Sequence, residues 1–364
     1  MALPAFVVRH FGEGAYARRI GVGLDRAWER AATREIDIDE IRIVVFSDHH
    51  RGQGDGADDF ARCEQAYCAA LGWYREQGFE LWLLGDVEEL WENRPGEVLD
   101  YYEACLDLER QFGDRLYRFY GNHDMAWRRK ANVRHLLASH LPHKQDPQER
   151  DGQVAEGMRL RVSKAGKRLG TMFFVHGHQG TLDSGNLLIV PFSRLVVRVF
   201  WAALQRSRRF ASTSPATDMN LRGKHDRAMA AWADPHPNEL VLVAGHTHHP
   251  VFPRTNPPDL TAETERAERA YRDAIKQGGD IPFARAAWEG AAARFRRAER
   301  FDPPELKRSS YFNTGCCSFG DGDVTGLELS EGKVRLVRWL NDAGEPRPQY
   351  LATRELGPVL AGQA

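Results

Sequence analysis

Short apolar runs recur in the first 250 residues, and each of them ends in a cluster of polar residues. The runs cover residues 41–46, 79–84, 116–120, 172–175 and 240–244. Helical patterns at about residues 57–77, 97–112 and 127–140 separate the first three runs, so this part alternates β and α. Because ligands in such sheets gather outside the carboxyl ends of the strands, we expect the five polar clusters to converge at one edge.

The rest of the chain departs from this alternation. Residues 1–40 are predicted to form an N-terminal helical extension, and residues 346–364 a C-terminal tail. Between them we expect one α/β domain over residues 41–345, with helical insertions at about residues 183–235 and 256–305. The second insertion is rich in Ala, Arg and Glu and is predicted to form a solvated helical hairpin. Three closing runs alternate as strands do, at residues 309–314, 324–329 and 333–340.

The composition is that of a soluble globular protein, since 42% of the 364 residues are hydrophobic and 28% are charged. The 50 basic residues nearly balance the 51 acidic ones, so the overall charge argues against a nucleic-acid partner. Five irregularly spaced cysteines without a CxxC pair favour reduced thiols in a cytoplasmic protein. The first residues show no pattern typical of a secretory signal.

One long apolar stretch, residues 187–204, bears on membrane contact. Pro191, Arg194 and Arg198 interrupt it, which argues against a helix that spans a bilayer. A basic, apolar helix over residues 187–209 fits two alternatives: it lies in a membrane interface, or it packs against the domain. Peripheral contact with a membrane is one prediction for this segment.

The first two polar clusters supply carboxylates and an imidazole. Asp48 and His50 are two residues apart at a strand end, so their side chains point the same way and suit a divalent metal. His49 points the other way and is expected behind the site or at the surface. Asp86 follows a glycine at the end of a buried strand. Considered alone, Asp48 and His50 also fit a solvated turn, and Asp86 also fits a helix cap. Considered together, they favour a metal site in which the carboxylate of Asp86 bridges two cations.

The third cluster is the run Gly121-Asn122-His123-Asp124. The amide oxygen of Asn122 is a metal ligand type, and Gly121 permits the sharp turn that presents it. His123 is predicted to supply a proton in catalysis, and Asp124 to fix the tautomer of His123.

The last two clusters contain histidines at strand ends. His176 directly follows its apolar run, and His246 and His248 follow theirs at positions i and i+2. A single histidine in such a place is usually a buried residue with satisfied hydrogen bonds, but packing alone does not explain three of them. The roles of His178 and His249 stay open.

Together the clusters offer seven ligands of mixed nitrogen and oxygen type, a mixture that favours Mn²⁺, with Fe, Zn, Co or Mg as alternatives. Two such ions would lower the pKa of a bridging water, and the resulting hydroxide would attack phosphorus. His123 would then stabilise or protonate the departing oxygen. The ligands are Asp48, His50, Asp86, Asn122, His176, His246 and His248.

In sequence order, these motifs resemble the calcineurin-like metallophosphoesterase superfamily over about residues 41–250. The resemblance is carried by Asp48-His49-His50, Gly85-Asp86-Val87-Glu88-Glu89, Gly121-Asn122-His123-Asp124, His176 and Gly245-His246-Thr247-His248. It implies a four-layer α/β/β/α sandwich and a dinuclear centre in which Asp86 is shared. The first metal would be held by Asp48, His50, Asp86 and His248, and the second by Asp86, Asn122, His176 and His246.

The segment after His176 is similar to that of bacterial UDP-2,3-diacylglucosamine pyrophosphatases. The chain departs from that branch, because His178 stands where the branch has Asp, His123 where it has Arg, and residues 256–305 are an addition. The expected activity is hydrolysis of a phosphodiester, pyrophosphate or phosphomonoester bond. The expected substrate is a phosphorylated small molecule, with a lipid-linked or nucleotide-linked one as the finer alternative.

Two rival functions come from the same fold. One is a scaffold for protein interactions that has lost its metals, and the intact ligand set argues against it. The other is a cyclic-nucleotide phosphodiesterase or nuclease, which would carry a His-His-Pro type of fourth motif or a basic groove. This chain has His176-Gly177-His178 at that position, and its basic residues cluster only at residues 194–209.

Overall fold

The computed structural model describes residues 13–142, 154–181, 219–234, 240–253, 257–289 (except 283 and 286), 309–341 and 347–362. Its strands are β1 (Ala32–Asp37), β2 (Arg42–Phe46), β3 (Glu80–Leu84), β4 (Leu116–Phe119), β5 (Val154–Ala155), β6 (Gly157–Lys164), β7 (Lys167–Val175), β8 (Leu240–Ala244), β9 (Pro250–Val251), β10 (Tyr311–Thr314), β11 (Val324–Ser330), β12 (Lys333–Trp339) and β13 (Gln349–Glu355). Its helices are α1 (Glu13–Arg30), α2 (Glu64–Glu76), α3 (Pro95–Tyr101), α4 (Glu103–Arg110), α5 (Met219–Ala233), α6 (Pro257–Gln277) and α7 (Leu356–Leu360). Shorter helical turns occupy Met125–Arg128, Lys130–Asn132, Val133–Leu137 and Ala138–His140.

Within the described residues, these strands form two mixed sheets. One has seven strands in the order β13-β12-β11-β2-β3-β4-β5, and the other has six in the order β1-β6-β7-β8-β10-β9. Strands β2 to β5 run parallel, as the alternating β and α pattern predicts. Strand β8 runs parallel to both β7 and β10. The carboxyl ends of the motif-bearing strands therefore lie at one edge of each sheet.

The two sheets pack against each other through a buried apolar layer that includes Val45, Trp82, Phe174 and Val243. Helices α2 to α4 cover the outer face of the seven-stranded sheet, and α1 and α5 cover the outer face of the other. Burial of apolar surface on both faces of each sheet explains why the strands read as unbroken apolar runs. The four-layer α/β/β/α sandwich is confirmed.

The structure differs from the sequence-based prediction at both ends of the chain. Residues 1–40 were expected to be helical, but Ala32–Asp37 forms a strand that pairs with β6 in parallel. Residues 346–364 were expected to form a tail, but Gln349–Glu355 pairs with β12 and α7 inserts Leu356 into the layer between the sheets. The first strand is short and its partner β6 is distant in sequence, so local patterns gave no signal of that pairing. The second pairs with the strand just before it, but its own sequence has no apolar run to mark it.

The two predicted insertions are helical where the structure describes them. Helix α5 lies in the first, and α6 lies in the second, where it is followed by helical residues 281–282, 284–285 and 287–289. The rings of Tyr271 and Trp288 stack with centroids 5.5 Å apart, which joins the two arms of the second insertion. Residues 187–209, the predicted basic helix, lie outside the described residues. Among the helices described, none is long and apolar enough to cross a membrane.

Candidate metal centre

The seven predicted ligands follow strands of both sheets, and the six Asp and His residues among them form groups of close donor atoms. Asp48 and His50 follow β2, Asp86 follows β3, and Asn122 follows β4. His176 follows β7 of the other sheet, and the loop after β8 carries His246 and His248. The single sheet edge expected from the sequence is therefore a pair of edges that face one another.

Left-handed backbone conformations are concentrated at this site. Seven non-glycine residues among those described have positive φ, and five of them are predicted ligands. Such conformations are uncommon and cost of order 1–3 kcal/mol each, so they persist where the surrounding structure enforces them. The five, with φ between 51° and 70°, are Asp48, His50, Asp86, His246 and His248.

Two glycines keep the ligand loops close together. A Cβ on Gly121 would overlap the carboxylate of Asp86, and a Cβ on Gly245 would overlap the side chains of Ser47 and Asp48. The motifs therefore contain glycine at these positions because the backbone of one loop contacts the ligands of the next.

The first group of donors consists of Asp48, His50 and His248, whose ligand atoms all lie within 4.8 Å of one another. The Nε2 atoms of His50 and His248 are 3.0 Å apart, and Nε2 of His248 is 3.3 Å from Oδ1 of Asp48. Three nitrogen and oxygen donors from two sheets thus point at one small volume, as ligands of a divalent ion do.

The second group consists of Asp86, His176 and His246, again with ligand atoms within 4.8 Å. The Nδ1–H of His176 donates to the carbonyl oxygen of Leu84 at 2.8 Å, which directs Nε2 at Oδ2 of Asp86, 3.0 Å away. Burial disfavours a charged His176, but the carboxylates of Asp86 and Asp48 outweigh it and raise the pKa of His176 to about 9. The pair therefore attracts a cation, either a proton or a metal ion.

Asn122 provides the clearest test of fit to a metal. Its Oδ1 atom is buried and has no hydrogen-bond partner in the part of the chain described. A buried amide oxygen without a partner costs about 1–3 kcal/mol, so such atoms need an explanation. A metal ion held with Asp86 and His176 would satisfy Oδ1, and the residues present therefore fit the group.

Glu89, rather than Asp124, is the carboxylate beside His123. The Nδ1–H groups of His123 and His50 both donate to Oε2 of Glu89, at 2.6 and 3.0 Å. Burial favours the neutral acid, yet His123 and His50 lower the pKa of Glu89 to about 2. Burial likewise opposes the charged form of His123, while Glu89 and Asp86 raise its pKa above the ordinary value. Trp91 stacks on the His123 ring, with centroids 4.1 Å apart.

Asp124 has a different place from the one predicted. Its two carboxylate oxygens accept the backbone N–H groups of Gly121 at 2.6 Å and Val87 at 2.9 Å. The expected pairing with His123 is thus not formed. The reason is geometric, because the two residues are adjacent and their side chains leave the backbone in different directions. Asp124 ties the loop after β4 to the loop after β3.

Three histidines beside the motifs have distinct surroundings. His49 is completely buried, 4.7 Å from the Tyr67 ring between centroids, so it lies in the outer apolar layer and not at the surface. His178 is buried with its ring centroid 5.4 Å from that of His176, and burial, with the charge of His176, lowers its pKa to about 3. Burial lowers the pKa of His249 to about 4. Neither His178 nor His249 belongs to a donor group among the described residues.

Comparison with known proteins agrees with this arrangement. A sequence model of calcineurin-like phosphoesterases matches residues 41–250, more than half of the chain. The chain belongs to the calcineurin-like phosphoesterase family. This calcineurin-like phosphoesterase is accordingly a metal-dependent phosphoric ester hydrolase, and its two neighbouring donor groups suit two divalent ions.

Other comparisons of this calcineurin-like phosphoesterase add less. The search of curated proteins gives no match. A search of solved structures finds a dimetal phosphatase from Danio rerio at 8% identity and a TM-score of 0.37, covering 86% of this chain and 99% of that one. At that score the likeness adds nothing to the assignment.

Proposed function

We propose that the chain is a dinuclear hydrolase that cleaves a phosphodiester, pyrophosphate or phosphomonoester bond, with Mn²⁺ as its favoured metal. The observation that carries the proposal is the position of Asp86. Its carboxylate lies 3.0 Å from His176 of the second donor group and 3.9 Å from His50 of the first, so it stands between the two. A carboxylate shared by two sites offsets the repulsion between two cations held a few ångströms apart.

Each metal would have four ligands from this chain. The proposed ligands of the first are Asp48, His50, Asp86 and His248, and those of the second are Asp86, Asn122, His176 and His246. When bound, two such ions polarise a phosphoryl oxygen and lower the pKa of a coordinated water. The mixture of imidazole nitrogen with carboxylate and amide oxygen supports Mn²⁺ over a hard cation such as Ca²⁺.

His123 is the proposed proton donor to the departing oxygen. With Nδ1–H committed to Glu89, its Nε2 is the atom left to carry and release a proton. The carboxylate of Glu89 stabilises the charged ring that such a step requires, and Trp91 holds the plane of the ring. The chain thus provides an acid whose orientation is fixed from two sides.

The finer identity of the substrate rests on the sequence. A phosphorylated small molecule, and among these a lipid-linked or nucleotide-linked one, is the proposed class. The suggestion of a lipid, and of membrane contact, comes from residues 187–209, which lie outside the residues that the structure describes. The cyclic-nucleotide phosphodiesterase and nuclease alternatives predict activity on diesters alone.

The proposal is tested by hydrolysis of bis-p-nitrophenyl phosphate and p-nitrophenyl phosphate. Metal-stripped protein is assayed before and after addition of Mn²⁺, beside Asp86→Ala and His123→Ala. His135→Ala serves as a matched control, because His135 is exposed on a helical turn and belongs to no donor group among the described residues. We expect metal-dependent turnover in wild type and control and at least a hundredfold loss in the two site variants.

Each outcome separates the alternatives. The ratio of diester to monoester turnover distinguishes the classes of bond. Turnover that survives Asp86→Ala would place the reaction elsewhere. An absence of turnover with any divalent metal, together with an absence of bound metal, would reject the hydrolase and support the scaffold.

A further inference from the structure

His225 belongs to none of the motifs, yet it contacts two of the loops that hold the site. Its Nε2 atom lies 2.7 Å from the carbonyl oxygen of Gly177, which connects His176 to His178. Its ring centroid lies 4.9 Å from that of His246. His225 is buried on helix α5. A residue of the first insertion thus reaches both loops of the six-stranded sheet that supply ligands.

The directions of its hydrogen bonds follow from its partners. A carbonyl oxygen only accepts, so Nε2–H of His225 donates to Gly177. In this tautomer Nδ1 is an acceptor, and the hydroxyl of Tyr16, 2.7 Å away, donates to it. The peptide held in this way has a φ of 111° at Gly177, a conformation that other residues rarely adopt. Tyr16 and His225 therefore fix the direction of the peptide that follows His176.

Helix α1, which carries Tyr16, is itself attached to the same loop. A Cβ on Gly23 of the helix would overlap the backbone of Gly180, and a Cβ on Gly180 would overlap the backbone of the helix. Ile20 and Leu24 of the helix are completely buried in the outer layer that α1 shares with α5. Close contact between backbones and a shared apolar layer hold Tyr16 rigidly beside His225.

We propose that Tyr16 and His225 are positioning residues for the second metal site, acting through His176 and His246. The inference rests on the proposed dinuclear function and deepens it. It gives a role at the site to α1, which precedes the residues matched to the family, 41–250. Loss of either hydrogen bond lets the Gly177 peptide turn, which weakens the second metal ion and leaves the first in place.

The experiment follows binding of Mn²⁺ by metal-stripped full-length protein. Calorimetry resolves the two binding steps, and electron paramagnetic resonance reports the coupled Mn²⁺ pair. His225→Phe keeps a ring and removes both nitrogens, and we expect a ten- to hundredfold loss of affinity in the second step alone. His225→Gln places an amide N–H near the same carbonyl and is expected to restore most of the affinity. Tyr16→Phe is expected to give a smaller loss in the same step.

Tyr74→Phe is the matched control, since it removes a buried hydroxyl that lies 3.2 Å from Glu328, in the outer layer of the other sheet. Tyr74→Phe should leave the affinities for both Mn²⁺ ions within twofold of wild type. An affinity for the second Mn²⁺ ion within twofold of wild type in both His225→Phe and Tyr16→Phe would overturn the inference. If His225→Phe does not fold, Tyr16→Phe decides alone: an affinity for the second ion within twofold of wild type, or an equal loss of affinity for both ions, would overturn the inference.

The two proposals fail in different ways. Wild-type protein that binds fewer than two Mn²⁺ ions would reject the dinuclear function and this inference with it. Two ions bound by wild type and bound equally well by His225→Phe and Tyr16→Phe would reject the inference alone.

Discussion

Glu89 accepts a hydrogen bond from Nδ1 of His123 at 2.6 Å, while the same carboxylate oxygen accepts one from Nδ1 of His50 at 3.0 Å. One side chain therefore sets the tautomer of both a proposed metal ligand and the proposed proton donor. His50 and His123 lie on different strand-end loops. Because Glu89 contacts both, it couples the position of the proposed ligand His50 to that of the proposed proton donor His123.

Replacement of Glu89 is expected to lower turnover strongly. In Glu89→Gln the negative charge is lost, so the charged form of His123 is less stable and its pKa falls toward the ordinary value. Loss of such an orienting partner costs about 10- to 100-fold in activity or metal affinity. The measurement is kcat at saturating Mn²⁺, with binding of Mn²⁺ determined separately.

Glu76→Gln is the control for this change, because Glu76 is exposed at the end of α2. It should turn over as wild type does. A value of kcat in Glu89→Gln within twofold of wild type would show that the contact seen with His123 has no part in the reaction.

Asp124 is expected to act on stability more than on chemistry. In Asp124→Asn, one of the two backbone N–H groups, of Gly121 or Val87, loses its acceptor and faces an amide N–H instead. Leaving a buried donor unsatisfied costs about 1–3 kcal/mol. We expect a decrease of that size in the free energy of unfolding, measured by urea denaturation of the metal-stripped protein.

The same variant separates the two roles considered for Asp124. If it oriented His123, Asp124→Asn would lower kcat and leave the urea midpoint unchanged. That result would contradict the role of Asp124 as a connection between loops and restore the pairing suggested by the sequence.

The candidate ligands could be recognised from the sequence because each of them follows an apolar run that forms a strand. Asp48 and His50 lie at i and i+2 after a strand, and His246 and His248 repeat the pattern. Strand geometry predicts that the members of each pair share a direction. In the structure all four residues have left-handed backbone, and His246 and His248 lie in different donor groups. The apolar runs likewise predicted the strands, since burial on both faces leaves a continuous signal.

The partners of those ligands could not be read in the same way. Glu88 and Glu89 are adjacent and alike, but Glu88 binds the buried Arg118 whereas Glu89 faces His123. No local pattern tells which of the two points to the site. Tyr16 and His225 are 209 positions apart, and their contact depends on packing of two helices. The strand at Ala32–Asp37 was missed for the same reason.

Gly121→Ala is expected to damage metal binding. The new methyl group would overlap the carboxylate of Asp86, which must then move from between the two donor groups. We expect at least a tenfold loss of affinity for Mn²⁺, measured by calorimetry, since displacement of one shared ligand affects both sites.

Gly72→Ala is the matched change for comparison. Gly72 lies within helix α2 with open space around its Cβ position, so alanine there should keep metal binding and raise stability by a few tenths of a kcal/mol to about 1 kcal/mol. Wild-type affinity in Gly121→Ala would mean that Asp86 tolerates displacement, which would weaken the case for it as the shared ligand.

Metal binding should be visible in the stability of the folded state, because the ligands come together only there. Asp48 and Asp86 are buried at 0% and 1% exposure, and their negative charges lie within reach of one another. A cation between them replaces repulsion with attraction. Mn²⁺ at a hundredfold excess over its Kd should raise the free energy of unfolding by about 2.7 kcal/mol for one site.

Asn122→Ala tests whether Asn122 contributes to the gain in the free energy of unfolding on addition of Mn²⁺. The change removes the buried Oδ1 atom that has no partner in the described structure, so metal-free protein should lose little stability and the gain on adding Mn²⁺ should shrink. Asn132→Ala, which removes an amide whose N–H donates to Ala126, should leave the gain intact. Equal gains in Asn122→Ala and wild type would exclude Oδ1 of Asn122 as a ligand. The second metal would then have to be held by Asp86, His176 and His246 alone, which would leave the buried amide oxygen without an explanation.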